Sequence, residues 1–475
     1  MEAKLLKNRT AADSDLTVGT IVDKVLMFAI PLMLTSMLQQ LFNATDVAVV
    51  GKFASKEAMA AVGSNSPVIS LLVNFFVGIS VGANVLIARS IGARNEAKAR
   101  SAVGTAMALA IAAGLFVAVA GNLIAAPIID LLGVPPEVRS YSITYLRIYF
   151  SGVPFIMLYN FEAAIFRSNG NTRTPLISLF IGGVFNVAAN LFFVLVLKMD
   201  VDGVAIATVL ANVISSMILL YCLMREESVI RVDLRKIRVN KNELSTILRI
   251  GVPAGLQSAV FSIANICVQS AINSLGADYM AASSAAFNLE IFAFFVVNSF
   301  TQTLVTFVGQ NYGAGNYARC REVIRKTLLV SWVFTMVISA ILLLTARPLL
   351  GLFTNEPFVI EAGLIRIKCL LYAETLNVIM DNLSGAMRGL GKSLVPAVTT
   401  LVCVCGIRIL WVFTGFQIYH SWLSIMLVFP VSWAVNAIFI VIGYIRTRNR
   451  MLIEPVSGPA GEPLPSGGRH HRSRV

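Results

Sequence analysis

Inside long apolar stretches the chain places a few groups able to carry charge: Asp46, Glu162, Glu290, Glu374, Asp381 and Arg408. An ionisable side chain in such surroundings costs about 2.5–3.5 kcal/mol on insertion scales, so each is a candidate functional site. A carboxylate there can take up and release a proton or hold a small cation, and an arginine can pair with it or with an anionic group. Metal or covalent chemistry has less to work with. There are three His in all, and the six cysteines (Cys222, Cys267, Cys320, Cys369, Cys403, Cys405) are scattered, mostly in apolar runs. Cys403 and Cys405 lie without a nearby His and read as small packing residues. No Gly-x-x-x-x-Gly-Lys-Ser/Thr phosphate loop occurs, which argues against ATP-driven work by this chain. The expectation is a protein that is not an enzyme and uses no cofactor or bound metal beyond a small ion.

The elements that position these groups are read from composition. The 475 residues are 57% hydrophobic and 13% charged, with a mean hydropathy of +0.77. Soluble domains carry about 25% charged residues, so this chain reads as an all-α polytopic membrane protein. Twelve stretches are long enough to cross a bilayer, near 25–47, 58–84, 101–124, 140–166, 175–197, 203–224, 245–273, 281–308, 322–345, 362–387, 394–416 and 421–446. Residues 1–24 lack a signal-peptide cleavage pattern, and the Pro-, Gly- and Arg-rich tail 447–475 is expected to be disordered.

The formal charge of +13 is a topology signal, not a nucleic-acid footprint, because the basic residues gather in alternate connectors. Arg89, Arg94, Lys98 and Arg100 follow the second span, Arg167 and Arg173 the fourth, and a run from Arg225 to Arg249 the sixth. Arg319, Arg321, Arg325 and Lys326, then Arg388 and Lys392, continue the pattern. The positive-inside rule therefore expects both termini in the cytoplasm. A repeat runs through the same connectors. "RSNGNTRTP" (167–175) returns as "RGLGKSLVP" (388–396), and "GARNEAKAR" (92–100) as "GAGNYARCR" (313–321), each after 221 residues. Six spans per half give both halves one topology, as in parallel-repeat transporters. The expected division is an N-lobe (25–224), a linker (225–244) and a C-lobe (245–446). Arg167, Gly170 and Pro175, with Arg388, Gly391 and Pro396, read as a tight turn made twice. Glycine permits positive φ, proline opens the next helix, and arginine anchors at headgroup level.

These motifs resemble the multidrug and toxic compound extrusion (MATE) family, in its DinF-like bacterial branch. "AIFRSNGNTRTPL" (164–176) is similar to that family's Arg-Gly-x-Gly-Asp-Thr-Lys-Thr-Pro junction, with Asn171 where Asp is usual. "FNATDVAVVGKFASKEAMAAVG" (42–63) resembles the end of its first helix and "GQNYGAGNYARCR" (309–321) its loop after helix eight. The resemblance implies twelve transmembrane helices in two parallel six-helix lobes. It also implies that Asp46 is the carboxylate used for proton coupling or cation binding, Na⁺ included, with Asn186, Asn190 and Thr208 as its partners. Asn190 departs from the family's second carboxylate, and an amide cannot take up a proton as an acid can. In the C-lobe the family's helix-10 carboxylate falls on Asn377, so Glu290, Glu374, Asp381 and Arg408 become the candidates. Glu290 and Arg408 lie at comparable depth and are expected to pair across the C-lobe cavity or through a substrate, and Glu162 is expected to pair with the junction cations.

The resemblance further implies a secondary-active antiporter in the bacterial inner membrane, exporting lipophilic, cationic compounds in exchange for H⁺ or Na⁺. Its partners would be an amphiphilic small molecule and the lipid bilayer, with no nucleic acid and a monomeric state. The alternative is a flippase for lipid-linked saccharides on the related architecture, which a strongly cationic cavity and extra C-terminal helices would favour.

Overall fold

In the computed structural model the described residues are 15–53 and 55–453. They form α1 (Ile21–Phe53), α2 (Lys56–Gly92), α3 (Glu96–Leu131), α4 (Pro136–Ser168), α5 (Arg173–Leu191) and α6 (Val201–Arg225). The second half has α7 (Lys241–Ser274), α8 (Ala277–Gly313), α9 (Tyr317–Leu350) and α10, in two pieces Pro357–Tyr372 and Glu374–Gly389. Then come α11 (Leu394–Thr400, continued by Ile407–Phe413) and α12 (Trp422–Arg448). A π-helical turn extends α5 (Phe192–Val196) and another interrupts α11 (Leu401–Gly406). Among the described residues, eleven helices are long and apolar enough to cross a membrane. The twelfth expected span is α10, which breaks at Ala373 into pieces of 16 residues each. The tail was expected to be disordered from 447, but α12 runs to Arg448 and a π-helical turn carries the chain to Ile453; residues 454–475 lie outside the described residues, as do 1–14.

The outer wall is apolar. Leu344 is 84% exposed, Leu123 75% and Phe116 72%, a surface that only lipid tails would cover without penalty. Helices of up to 37 residues span about 55 Å at 1.5 Å per residue, more than a hydrocarbon core of about 30 Å, so they tilt or project beyond it.

The repeated motifs are helix boundaries. Asn95 and Asn316 each cap the next helix, accepting from the N–H of Lys98 and Arg319. Gly170 (φ 86°) and Gly391 (φ 65°) turn the chain after α4 and α10, and Pro175 and Pro396 sit in the first turns of α5 and α11, where a missing N–H costs little. The arginine does not behave as a headgroup anchor. Arg388 turns inward and donates to the Gln257 side chain of α7 at 2.9 Å, and Gln257 in turn donates to Thr400 at 2.9 Å.

The two halves meet at the end that carries these basic turns. There α2 lies against α7 so closely that a Cβ on Gly78 would fall 2.3 Å from the Gly255 Cα. Beyond that crossing the contacts obey the sequence repeat. Arg89 Nε donates to the Gly389 carbonyl at 3.2 Å, and Gln310, 221 residues on, donates to the Ser168 carbonyl at 2.7 Å. A Cβ on Gly92 would lie 1.9 Å from the Gln310 carbonyl oxygen, and one on Gly313 2.1 Å from that of Arg89. The segment before α1 crosses over too: the Leu16 carbonyl accepts from Asn311 at 3.2 Å and that of Gly19 from Arg319 at 2.8 Å. Buried apolar clusters show the asymmetry. At the basic end the start of α1 (Ile21, Val25, Phe28) shares one core with Phe307 and Val308 of α8. At the opposite end Val49, Val50 and Ala58 pack only within the first half, and Ala285, Leu289 and Leu342 only within the second. The halves are closed on each other at the basic end and have separate cores at the other.

Candidate functional site

Asp46 lies on α1 seven residues before its end, about 10 Å from that end at 1.5 Å per residue. It faces α5 and α6, where the one-turn spacing of Asn186 and Asn190 puts both amides on one side of the helix. The Asn190 Nδ2 donates to Asp46 Oδ1, and the Thr208 hydroxyl lies 3.2 Å from Asp46 Oδ2. Asn190 Nδ2 also reaches Asn186 Oδ1 at 3.3 Å, and Asn186 Nδ2 lies 3.5 Å from the Thr208 oxygen. All four residues from the first half are thus brought together. Asn186 and Asn190 are buried and Asp46 is half-buried. One atom is left over: the buried Asn190 Oδ1 has no hydrogen-bond partner among the described residues, which is costly for a polar group away from water. The cluster therefore holds one carboxylate, fixed by donors suited to its ionised form, beside a carbonyl oxygen that can accept from a new donor or face a cation. Between α2, α3 and α4 an apolar recess lined by Val68, Leu72, Phe76, Phe116 and Phe150 extends to Ala259 of α7.

The second half is arranged differently from expectation. Glu290 does not pair with Arg408. It is held by both ends of the Arg366 guanidinium, Nε to Oε2 at 3.1 Å and Nη2 to Oε1, while Arg366 Nη1 donates to Ser283 at 2.8 Å. Arg366 is absent from the sequence-derived candidates, although it stands in the apolar run 362–387 and meets the same criterion. Equal depth along two helices does not fix which way each side chain points, and Arg366 on α10 faces Glu290 on α8. Arg408 is fully buried, with Nη1 on Asn265 Oδ1 at 2.6 Å, Nε on Ser432 at 3.3 Å, and the Phe261 and Phe429 rings 5.0 and 4.6 Å from its guanidinium carbon. Glu374, the first residue after the α10 break, accepts from Asn377 at 2.7 Å. Asp381 lies two turns further along and is partly exposed. Glu162 does not pair with the junction cations either: it is fully buried and, among the described residues, both its carboxylate oxygens lack a hydrogen-bond partner, as does Nε of Arg167.

The Glu290–Arg366 pair is 11% and 6% exposed at its side chains, so removing one member strands a buried charge. Arg366→Met is expected to destabilise the fold by about 3–5 kcal/mol, read as a drop in the unfolding midpoint in detergent. Glu290→Gln combined with Arg366→Met should recover most of that loss. Equal loss in the single and double variants would show that the pair is not what is being lost.

Two halves of six helices, closed together at one end and each enclosing polar groups within an apolar wall, define a multi-pass membrane protein built by duplication. Known proteins agree. The MatE family model matches twice, at residues 31–192 and 253–414. The chain is 27% identical over 428 residues to the Probable multidrug resistance protein YoeA of Bacillus subtilis, covering 87% of this chain and 91% of that one. It is 28% identical over 415 residues to the Probable multidrug resistance protein NorM of Thermotoga maritima, covering 86% and 88%. Among solved structures, a MOP superfamily transporter from Pyrococcus furiosus superposes with a TM-score of 0.83 at 22% identity, over 92% of this chain and 97% of that one. An outward-facing multidrug resistance MATE family transporter gives 0.82 at 21% identity, with the same coverage. The chain belongs to the MatE family.

Proposed function

We propose that the protein is a secondary-active exporter of lipophilic, cationic amphiphiles, driven by inward flow of H⁺ or Na⁺ across a bacterial inner membrane. The observation that carries this reading is the Asp46 cluster, a single carboxylate with polar partners and a spare carbonyl oxygen, set in a half that closes against its copy at one end only. The names of the Bacillus subtilis and Thermotoga maritima relatives point the same way. In this reading the basic end faces the cytoplasm, as do both termini, and the two six-helix lobes (25–224 and 245–446) rock as bodies in a monomer about the 225–244 linker.

The cluster supplies the exchange chemistry. Ionised Asp46 accepts from Asn190 and Thr208. A proton arriving on Asp46 turns it into a donor, and a half-turn of the Asn190 amide presents Oδ1 to receive that O–H. A sodium ion would instead draw on the same oxygens, Asp46 Oδ1 and Oδ2, Thr208 Oγ1 and a turned Asn190 Oδ1. Either event changes which contacts α1 makes with α5 and α6, and so biases the lobe.

The test is uptake of a fluorescent lipophilic cation into inverted membrane vesicles, under H⁺ and Na⁺ gradients imposed separately. Uptake under one gradient alone names the coupling ion. Uptake under neither, with turnover of a lipid-linked saccharide, replaces the exporter reading with the flippase.

A further inference from the structure

The two stretches matched by the family model begin and end 222 residues apart, whereas the turn motifs between them are 221 apart. The extra residue has a visible place. After Pro396, α11 passes through the π-helical turn Leu401–Gly406, and such a turn accommodates one more residue than an α-helix would. The corresponding turn of α5, Phe192–Val196, comes only after Asn186. Beyond the α11 bulge the register is 222, and the position of Asn186 is taken by Arg408. The same interval sets Asn265 of α7 at the position of Asn43, one turn before Asp46 on α1.

Arg408 is therefore the second half's counterpart of the Asp46 cluster, with the charge reversed. Helices α7, α11 and α12 hold it as α1, α5 and α6 hold Asp46. Its polar partners are neutral, Asn265 Oδ1 and Ser432 Oγ, and its faces are covered by Phe261 and Phe429. Glu290, the counter-ion expected for it, is engaged by Arg366. Nη2 of Arg408 is buried and has no hydrogen-bond partner among the described residues. Aromatic faces relieve only part of the cost of burying a cation, so a full positive charge with one free donor remains within the lobe. Asn265, which accepts the Nη1 bond, is itself exposed on α7; the guanidinium lies one side chain below that surface.

We propose that Arg408 is the recognition group of an anion subsite in the C-lobe, taking the carboxylate of an apolar amphiphile that approaches from the Asn265 side, with Phe261 and Phe429 flanking the guanidinium. A planar guanidinium offers parallel N–H donors matched to a carboxylate. Displacement of Asn265 from Nη1 opens two adjacent donors, Nη1 and Nη2, to the ligand. The transported class then includes carboxylate-bearing and zwitterionic amphiphiles as well as cations. Their movement across the membrane rests on the exporter reading above; their binding does not.

The test is equilibrium dialysis of the full chain in detergent with two probes of one apolar body, naphthalene-1-acetate and 2-(1-naphthyl)ethanol. The wild type should bind the carboxylate at least tenfold more tightly than the alcohol. Arg408→Gln should bring the ratio to about one with the alcohol's affinity unchanged, while Arg408→Lys should retain part of the preference. Equal affinities in the wild type, which needs no variant to be folded, would overturn the subsite, as would a ratio unaltered in Arg408→Gln. Because no gradient is applied, a carboxylate preference without any transport leaves the subsite standing and removes the exporter. Transport of lipophilic cations without a carboxylate preference does the reverse.

Discussion

Replacing Gly92 and Gly313 with leucine should leave a folded protein whose lobes no longer close at the basic end. Each glycine abuts a backbone carbonyl oxygen of the opposite half, with only 1.9 and 2.1 Å available to a Cβ. A backbone oxygen cannot swing aside as a side-chain tip can, so the lobes must separate. Overpacking costs about 1–3 kcal/mol per site, so two sites on one seam cost about 2–6 kcal/mol together. A cost of about 3 kcal/mol shifts a two-state equilibrium by more than a hundredfold. The closure bonds from Arg89 to Gly389 and from Gln310 to Ser168 would be lost in the same step. The interior of each lobe is untouched, so the unfolding midpoint should change little while transport falls to background. Spin labels at the exposed positions 100 and 321 should report a longer distance across that end in the double variant. An unchanged distance together with full transport would show that this seam does not gate the protein.

The seam also shows what could be read in advance and what could not. Twelve spans, the charge alternation and the 221-residue interval were all present in the residue order, because bilayer thickness and helix rise set span length directly. The end of α8 and the turn after α10 were recognised as motifs, yet that Gln310 of the one and Gly389 of the other meet the opposite half was not. Such contacts depend on how two helices cross, and a single helix's pattern does not encode that. One signal was available: Gly78 and Gly82 on α2, with Gly251 and Gly255 on α7, are spaced four apart, as small-residue faces of closely packed membrane helices are. In the second half, Glu290 and Arg408 stood out as charges in apolar runs, but equal depth along the helix paired them with each other, where the structure pairs Glu290 with Arg366. The rotation of α10 that brings Arg366 to Glu290 is set by its packing, with a break at Ala373 where neither Gly nor Pro announces one. The Asp46 cluster came through the family resemblance, motif by motif, and not from polarity alone, since Asn186, Asn190 and Thr208 are unremarkable in a helix.

Asp46→Asn should abolish gradient-driven uptake while leaving the protein able to exchange substrate down its own gradient. The substitution keeps the shape and removes the one group of the cluster that changes charge. The new amide oxygen would still accept from Thr208, and the new NH2 would donate to Asn190 Oδ1 once that amide turns over, so the packing of α1 on α5 and α6 is retained and a folding defect is not expected. Coupling, by contrast, requires that ion binding alter the energy difference between lobe positions, and an amide has no such difference to contribute. A milder change tests the partners. Thr208→Val removes a hydroxyl bonded to a charged acceptor, an interaction of about 1.5–3 kcal/mol. The half-saturating concentration of the coupling ion should therefore move by roughly ten- to a hundredfold. Both variants are read in the same vesicles, gradient-driven uptake against passive exchange. If Asp46→Asn still concentrates substrate under a gradient, coupling lies with the buried Glu162 of the first half or with a carboxylate of the second. There Glu290 is committed to Arg366, which leaves Glu374 at the α10 break and Asp381 below it as the groups to replace next.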